Sequence, residues 1–327
     1  MSPALLEVEQ LGVRFPAGRR RVLHAVAGVD LAVEAGEIVA LVGESGSGKT
    51  TLGRCVLGLL AQSEGRVMLD GRDVRERRSG PGAVHRLAQP VFQDPYSSLD
   101  PRWPVERTIR EPLDAQRIGT GPERAARVRE LMEEVGLSPE LARRRPRELS
   151  GGQRQRVAIA AALAPRPRLI VADEPVSALD TLVQAQILRL LDGLRAAHGL
   201  AILFITHDLG VVRELADRVA VMYLGRVVEH GPVEEVFADP RHPYTRALLD
   251  ARPDPDPARP FTPPRLGGEI PSAADPPAGC AFHPRCPRAI AVCSHLRPPM
   301  TRFGPAHGAA CHVAAAELAS STTTKEE

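Results

Sequence analysis

The sequence predicts an α/β protein in which helices pack on a buried, mostly parallel sheet. Three apolar runs support this prediction, at 38–42, 169–172 and 201–205. Each run ends in glycine or polar residues, which is typical of a strand buried on both faces. A helical pattern over 181–197, with Leu182 on its apolar face, lies between the second and third runs. Strand, helix and strand in this order indicate a doubly wound core.

The segments outside this core have different patterns. Residues 6–35 alternate apolar and polar side chains, which predicts half-exposed antiparallel strands. Residues at about 95–165 show helical periodicity and few strand signals, so we predict a helical insertion there. Alternating prolines after Asp250 predict an extended linker. We therefore predict a large domain, a Pro-rich linker with a small cysteine-bearing C-terminal extension, and a flexible tail, over 1–250, 251–313 and 314–327.

Composition and charge restrict the partners of the chain. Its 327 residues include 42 basic and 40 acidic residues, so the net charge of +2 does not indicate nucleic-acid binding. No apolar stretch approaches the roughly 20 residues that a membrane-spanning helix needs. The first ten residues lack the basic and apolar segments of a signal peptide, so we expect none. Membrane association is therefore expected only through a partner.

The strongest motif follows the first apolar run directly. Residues 43–50 read G-E-S-G-S-G-K-T, which matches the phosphate-binding loop, or P-loop, in its expected context. The glycines allow backbone N–H groups to face phosphate oxygens at the start of a helix. Lys49 is expected to bridge the β- and γ-phosphates of ATP, and the Thr50 hydroxyl to ligate Mg²⁺. The motif predicts a P-loop NTPase with a RecA-like core. The expected nucleotide contacts in this segment are Gly43, Glu44, Ser45, Gly46, Ser47, Gly48, Lys49, Thr50 and Thr51.

Two carboxylates end the second apolar run, at Asp173 and Glu174. Such a strand end is a weak signal alone, because core strands often finish with aspartate. Downstream of a phosphate loop it indicates a magnesium and water site. We expect Asp173 to hold Mg²⁺ through water and Glu174 to act as the base or to orient the attacking water.

A glycine-rich pentapeptide, Leu149-Ser150-Gly151-Gly152-Gln153, lies between the loop and this strand end. With these motifs in this order, the chain resembles the ATP-binding subunits of ABC transporters. The resemblance implies that Ser150 and the glycine amides, at a helix start, bind the γ-phosphate of ATP held by a second subunit. Two ATP molecules are then sandwiched between two subunits, which are either identical or related chains. The signature residues carried over are Ser150, Gly151, Gly152 and Gln153.

Four further residues match the pattern of the same family. Gln93 resembles the glutamine that contacts Mg²⁺ or water, and His207 resembles the histidine that contacts the γ-phosphate. Asp180 resembles the aspartate of the loop along the dimer seam. A lone glutamine or histidine is more often structural, but the family order favours these roles. Phe15 resembles the aromatic residue that stacks on adenine, although a core phenylalanine explains it equally well.

The C-terminal third resembles the oligopeptide, dipeptide and nickel importer branch of this family, in residues 242–249, 268–272 and 279–287. The resemblance implies ATP-driven import of a small peptide or similar solute. It also implies two transmembrane permease subunits, an indirect extracytoplasmic solute-binding protein, and a peripheral position at the cytoplasmic face of a bacterial cell membrane. The alternative is a soluble ABC ATPase acting on nucleic acid or ribosomes. That class is expected to show tandem cassettes, long heptad repeats or a strongly basic face.

Four of the five cysteines lie in the same third of the chain. Disulfides are unexpected in a reducing compartment, whereas four thiolates suit an iron–sulfur cluster or zinc. The spacing lacks the paired C-x2-C units usual for zinc, and some members of this branch resemble [4Fe-4S] binders. We therefore expect a structural [4Fe-4S] cluster, with zinc or no metal as the alternatives. The candidate ligands are Cys280, Cys286, Cys293 and Cys311.

Overall fold

Two sheets organise the computed structural model, which describes residues 4–17, 22–76, 83–94, 99–251, 267 and 269–323. The predicted proline-rich linker at 252–266 lies outside the described residues. The described strands, in chain order, are β1 (Leu6–Pro16), β2 (Val22–Val33), β3 (Ile38–Val42), β4 (Glu64–Leu69), β5 (Arg72–Asp73), β6 (Ala88–Val91), β7 (Leu169–Asp173), β8 (Ala201–Thr206), β9 (Arg218–Tyr223), β10 (Arg226–Pro232), β11 (Thr301–Arg302) and β12 (Gly308–Ala309).

The larger sheet has eight strands in the order β11-β12-β10-β9-β3-β8-β7-β6. Strands β6, β7, β8, β3 and β9 run parallel, and β10, β12 and β11 extend the sheet in antiparallel pairing. The three apolar runs of the sequence form β3, β7 and β8, and all their apolar residues are buried. The carboxyl ends of these parallel strands meet at one edge, where open α/β sheets bind ligands.

The smaller sheet is antiparallel, with the order β2-β1-β4-β5. Its central strand β1 pairs with β2 on one side and β4 on the other. Leu6 and Val8 of β1 point into a core shared with Val39 and Leu41 of β3. The smaller sheet therefore packs against the strand that leads into the phosphate loop.

Helices cover the larger sheet and fill the segment between β6 and β7. The described helices are α1 (Lys49–Val56), α2 (Val84–Leu87), α3 (Val105–Ala115), α4 (Gly121–Glu134), α5 (Gly151–Leu163), α6 (Thr181–His198), α7 (Leu209–Leu215), α8 (Val233–Ala238), α9 (Pro243–Asp250) and α10 (His312–Thr323). No helix within the described residues is both long enough and apolar enough to cross a bilayer.

The predicted fold class is confirmed by this arrangement. Helices α3, α4 and α5 form the helical insertion, and they share a core that contains Ile109, Leu131 and Ile159. Helix α6 is also confirmed, but the predicted placement of Leu182 on its buried face is wrong, because this side chain is 71% exposed. The buried face contains Ile187, from which Leu182 lies roughly 140° around the helix.

The cysteine-bearing extension packs directly onto the larger sheet. Strand β12 pairs with β10, with Ala309 opposite Glu229. The Glu229 side chain is fully buried, and its carboxylate accepts a hydrogen bond from the backbone N–H of His242 at 2.9 Å. The same carboxylate contacts Nε2 of His307, also at 2.9 Å. A buried carboxylate requires such partners, so this network fixes the extension on β10.

The end of the chain departs from the prediction of a flexible tail over 314–327. Residues 312–323 form α10, and the last four residues lie outside the described part. This segment is rich in alanine, the strongest helix former. Glu317 of α10 also forms an ion pair with Arg288 of the extension. Helix propensity and this ion pair explain why the segment is helical although its sequence ends in polar residues.

A buried histidine at the start of α9 generates a prediction about pH. Nδ1 of His242 accepts a hydrogen bond from the Tyr244 N–H at 3.1 Å, so its side chain caps the helix. Burial lowers the pKa of His242 to about 4, although the charge of Glu229 opposes this shift. The folded protein therefore holds a neutral imidazole at a pH where the unfolded chain binds a proton.

The free energy of unfolding is expected to fall as pH decreases from about 6.5 toward about 4, because the unfolded state then binds the additional proton. His242→Asn retains a capping acceptor and removes the titrating group. Chemical denaturation across this interval should give a shallower pH dependence for His242→Asn than for the unaltered chain. Equal slopes in the two proteins would contradict this account.

Candidate active site

The phosphate loop connects β3 to α1 and encloses the side chain of Lys49. Its Nζ donates hydrogen bonds to the carbonyl oxygens of Gly43 at 2.8 Å and Glu44 at 3.0 Å. Lys49 is 6% exposed, and burial lowers its pKa while the carboxylates of Glu174, Asp173 and Glu44 raise it. Gly48 has φ +103°, and a Cβ there would lie 2.1 Å from the Ala25 carbonyl oxygen. This position therefore requires glycine.

The end of β7 lies next to the start of α1. The Thr50 hydroxyl donates a hydrogen bond to Oδ1 of Asp173 at 3.1 Å. Burial raises the pKa of Asp173, whereas this hydrogen bond lowers it. The structure thus brings together the hydroxyl and the carboxylate that the sequence predicted as magnesium ligands.

Glu174 has a left-handed backbone conformation, with φ +47°. This conformation costs a non-glycine residue roughly 1–2 kcal/mol, and such strain concentrates at functional sites. The surrounding backbone holds it in place. The Glu174 N–H donates to the Ile205 carbonyl at 2.8 Å, and the Glu174 carbonyl accepts from the Ser177 hydroxyl at 3.1 Å.

The Glu174 carboxylate contacts side chains from the two neighbouring strand ends. Oε2 accepts a hydrogen bond from the Gln93 amide at 3.1 Å, beyond the end of β6. Oε1 lies 3.2 Å from Nδ1 of His207, which follows β8 and whose side chain is 62% exposed. Two residues far apart in sequence, Gln93 and His207, therefore converge on the Glu174 carboxylate at the carboxyl edge of the sheet.

A cavity of about 880 Å³ surrounds these groups, a volume suited to a ligand of nucleotide size. Ser47 is buried and absent from the described lining of this cavity, and its hydroxyl lies 3.4 Å from Nζ of Lys49. The predicted site residues that line the cavity are Phe15, Gly43, Glu44, Ser45, Gly46, Gly48, Lys49, Thr50, Thr51, Gln93, Glu174 and His207.

The apolar wall of this cavity contains residues that sequence reasoning missed. Leu23 and Ala25 alternate along β2 next to Phe15 on β1, so strand periodicity could have indicated them. No sequence signal points to the C-terminal contribution, which comes from Leu248, Ile270 and Ala273. The backbone N–H of His24 donates to the Ala273 carbonyl at 3.3 Å, and this contact holds the C-terminal segment against β2.

The signature residues lie apart from this cavity. Ser150 caps α5 by accepting a hydrogen bond from the Gln153 N–H at 3.2 Å, and Oε1 of Gln153 accepts from the Ser150 N–H at 2.9 Å. Asp180 caps α6 by accepting from the Val183 N–H at 3.0 Å. A Cβ on Gly152 would lie 2.5 Å from Cγ1 of Val183, so glycine allows α5 and α6 to approach closely. Residues 150–153 and Asp180 are absent from the described lining of the cavity.

The cysteine prediction needs a correction. The pKa of Cys280 is raised to about 11, mainly by burial and also by the charges of the other three cysteines, although a backbone hydrogen bond from Phe282 lowers it. Burial also raises the pKa values of Cys286 and Cys311. In the described part of the chain, no group of three or more His, Cys, Asp or Glu residues is arranged to hold a metal ion. The described residues therefore support neither the [4Fe-4S] cluster nor the zinc alternative.

Comparison with known proteins agrees with this geometry. Residues 26–177 match the family described as "ABC transporter", and residues 228–293 match "Oligopeptide/dipeptide transporter, C-terminal region". A protein of Sinorhizobium fredii, "Probable peptide ABC transporter ATP-binding protein y4tS", is 49% identical to this chain. The match covers 96% of this chain and 91% of that relative. The "Putative oligopeptide transport ATP-binding protein YkfD" of Bacillus subtilis is 45% identical, with 94% of this chain and 95% of the relative covered.

A solved structure gives the same result. The ATP-binding cassette MJ0796, in a dimeric post-hydrolysis state bound to ADP and Pi, matches with a TM-score of 0.62 and 30% identity. The match covers 70% of this chain and 98% of the cassette. The order of the motifs, the convergent strand ends and these similarities lead to one conclusion: this chain belongs to the family of ATP-binding, ATP-hydrolysing subunits of ABC transporters.

Proposed function

We propose that this chain hydrolyses ATP to drive the import of peptides, or of a related small solute, through a membrane transporter. The observation that supports hydrolysis is the meeting of Gln93, Glu174 and His207 beside the phosphate loop. The proposal of peptide import is supported by the C-terminal match at 228–293 and by the relatives that are named for peptide transport.

In this proposal the phosphate loop binds the triphosphate of ATP. Backbone N–H groups between Gly43 and Thr51 face the phosphate oxygens, and Lys49 contacts the β- and γ-phosphates. The buried ammonium of Lys49 is now held by two backbone carbonyls, and these are weaker partners than phosphate. The adenine stacks on Phe15, in the apolar part of the cavity that Leu23 and Ala25 also line.

Glu174 is the group that activates or orients the attacking water. Its carboxylate is held by Gln93 and lies near His207, so its position is fixed before water is bound. His207 is exposed enough to contact a γ-phosphate, and Gln93 can also reach water or metal. A general base aligned in this way accelerates a reaction by roughly 10²–10⁴-fold.

Magnesium fits the oxygen ligands at the end of β7. It usually takes one or two protein carboxylates and completes its shell with phosphate and water. The Asp173 carboxylate and the Thr50 hydroxyl, 3.1 Å apart, are such ligands, and the Gln93 side chain lines the same cavity as Thr50. When bound, Mg²⁺ neutralises negative charge on the β- and γ-phosphates.

A second ABC ATPase subunit completes the site. The start of α5 presents the Ser150, Gly151 and Gly152 amides with Gln153, and Asp180 lies at the start of α6. These residues are outside the cavity formed by their own chain, so we propose that they act on ATP held by an identical or related partner. Residues 1–250 would form the nucleotide-binding domain, with a helical subdomain at about 95–165, and 251–313 the C-terminal region. The dimer would sit at the cytoplasmic face of two permease subunits, which receive solute from an extracytoplasmic binding protein.

Lys49→Ala is expected to lower ATP turnover by at least about 10²-fold, as the loss of one placed electrostatic donor does. The measurement is phosphate release by purified protein at saturating ATP. Arg288→Ala is a suitable control, because Arg288 pairs with Glu317 on α10 and lies outside the described lining of the cavity. Turnover of Lys49→Ala within a few fold of the unaltered chain would disprove the phosphate-loop assignment.

Glu174→Gln is expected to remove roughly 10²–10⁴-fold of activity and to leave ATP bound, because the amide keeps the shape of the side chain but cannot take a proton. Bound ATP should then stabilise the closed dimer, seen as a doubled mass in light scattering with Mg-ATP. Glu234→Gln changes an exposed acid on α8 and serves as the matched control. Unchanged hydrolysis in Glu174→Gln would exclude this residue as the base.

Transport can be tested directly with membrane vesicles that contain this chain and candidate permease subunits. We expect ATP-dependent accumulation of a labelled di- or oligopeptide in the presence of the binding protein, and no accumulation with Glu174→Gln. If the chain co-purifies with the permeases but no peptide is taken up, the transporter assignment stands and peptides are excluded as the solute. Failure of the chain to associate with any permease would reject the transporter itself.

A further inference from the structure

Glu44, the second residue of the phosphate loop, has all its polar groups engaged. Its N–H donates to the Tyr244 hydroxyl at 2.9 Å, and its carbonyl accepts from Nζ of Lys49 at 3.0 Å. Its carboxylate accepts two hydrogen bonds from Arg285, from Nη1 at 2.8 Å and from Nη2 at 3.0 Å. One loop residue is therefore tied to α9 and, through its side chain, to the cysteine-bearing extension.

Arg285 is held rigidly at the other end of this ion pair. Its side chain is 6% exposed, and Nη1 also donates to the Tyr223 hydroxyl at 3.3 Å. The guanidinium carbon lies 5.8 Å from the centre of the Tyr223 ring and 5.9 Å from that of Phe282. The hydrogen bonds to Glu44 are the largest cause that raises the pKa of Arg285, so the guanidinium stays charged. A two-point pair of this kind fixes both orientation and charge.

The position of Glu44 makes this pairing important for an anionic ligand. Glu44 lines the cavity, and its negative charge is felt by Lys49, whose pKa it raises. An unpaired carboxylate there would repel phosphate groups and would also be free to bind the Lys49 ammonium. Arg285 neutralises the carboxylate and holds both of its oxygens in hydrogen bonds.

We propose that Arg285 is a positioning residue of the nucleotide site. By neutralising the Glu44 carboxylate and holding it in a two-point ion pair, it keeps that negative charge from opposing phosphate binding at the loop, so the C-terminal extension sets the affinity of the chain for nucleoside triphosphates. Arg285 does this without belonging to the described lining of the cavity. The inference depends on nucleotide binding at the loop and is independent of which solute is imported.

The test is the affinity of the full-length chain for a non-hydrolysable ATP analogue, measured by titration calorimetry. Arg285→Met should weaken binding at least about tenfold, within the usual range of coupling between linked sites. Adding Glu44→Gln to Arg285→Met should restore most of the lost affinity, because the uncompensated charge is then removed. A purely structural role for Arg285 would not be relieved by a substitution in the loop.

Arg288→Met is the matched control, because this arginine lies three residues away and pairs with Glu317 rather than with the loop. The affinity of Arg288→Met for the analogue should stay within about twofold of that of the unaltered chain. Lys49→Ala gives the affinity expected when the phosphate loop no longer binds the analogue. Unchanged affinity in Arg285→Met, or a double variant as weak as Arg285→Met, overturns the proposal.

If thermal unfolding shows that Arg285→Met does not fold, Arg285→Lys is measured instead, because it keeps the charge and loses the two-point geometry. A loss of at least about threefold is then expected, and unchanged affinity again overturns the proposal. If the unaltered chain does not bind the ATP analogue, the nucleotide site itself is refuted.

Discussion

The parallel pairing of β3, β6, β7 and β8 is the constraint on which the site depends. Parallel strands deliver their carboxyl ends to one edge, so the residues that follow each strand meet there whatever their distance in sequence. The phosphate loop follows β3, Gln93 follows β6, Glu174 follows β7 and His207 follows β8. A slip in the pairing of any of these strands would move a reacting group away from the others.

Balance of charge is the second feature of this edge. Lys49 brings one positive charge into a region that contains three carboxylates, those of Glu44, Asp173 and Glu174. Each carboxylate has a partner of its own: Arg285 for Glu44, Thr50 for Asp173, and Gln93 for Glu174. These contacts limit competition for the Lys49 ammonium, because partly buried carboxylates without partners would attract it.

The C-terminal extension belongs to the same physical unit as the cassette. It adds β11 and β12 to the larger sheet, places Phe282 against Tyr223 and Tyr244, and supplies Ile270 and Ala273 to the cavity. Aromatic rings at these separations contribute more than their buried area alone. A segment that appears in the sequence as an appendage therefore contributes to the nucleotide site, and this explains how it can influence nucleotide binding without containing a catalytic group.

The amino-acid sequence alone determined the features that depend on local spacing. The loop at 43–50, the buried runs that became β3, β7 and β8, and the alternation in β1 and β2 are all encoded within a few residues. Tertiary structure alone decided the contacts between distant segments. The pairing of Arg285 with Glu44, the exposure of Leu182 and the burial of Cys293 and Cys311 depend on which surfaces dock together. Local patterns do not carry that information, because docking is decided by the burial and complementarity of surfaces that the chain assembles only on folding.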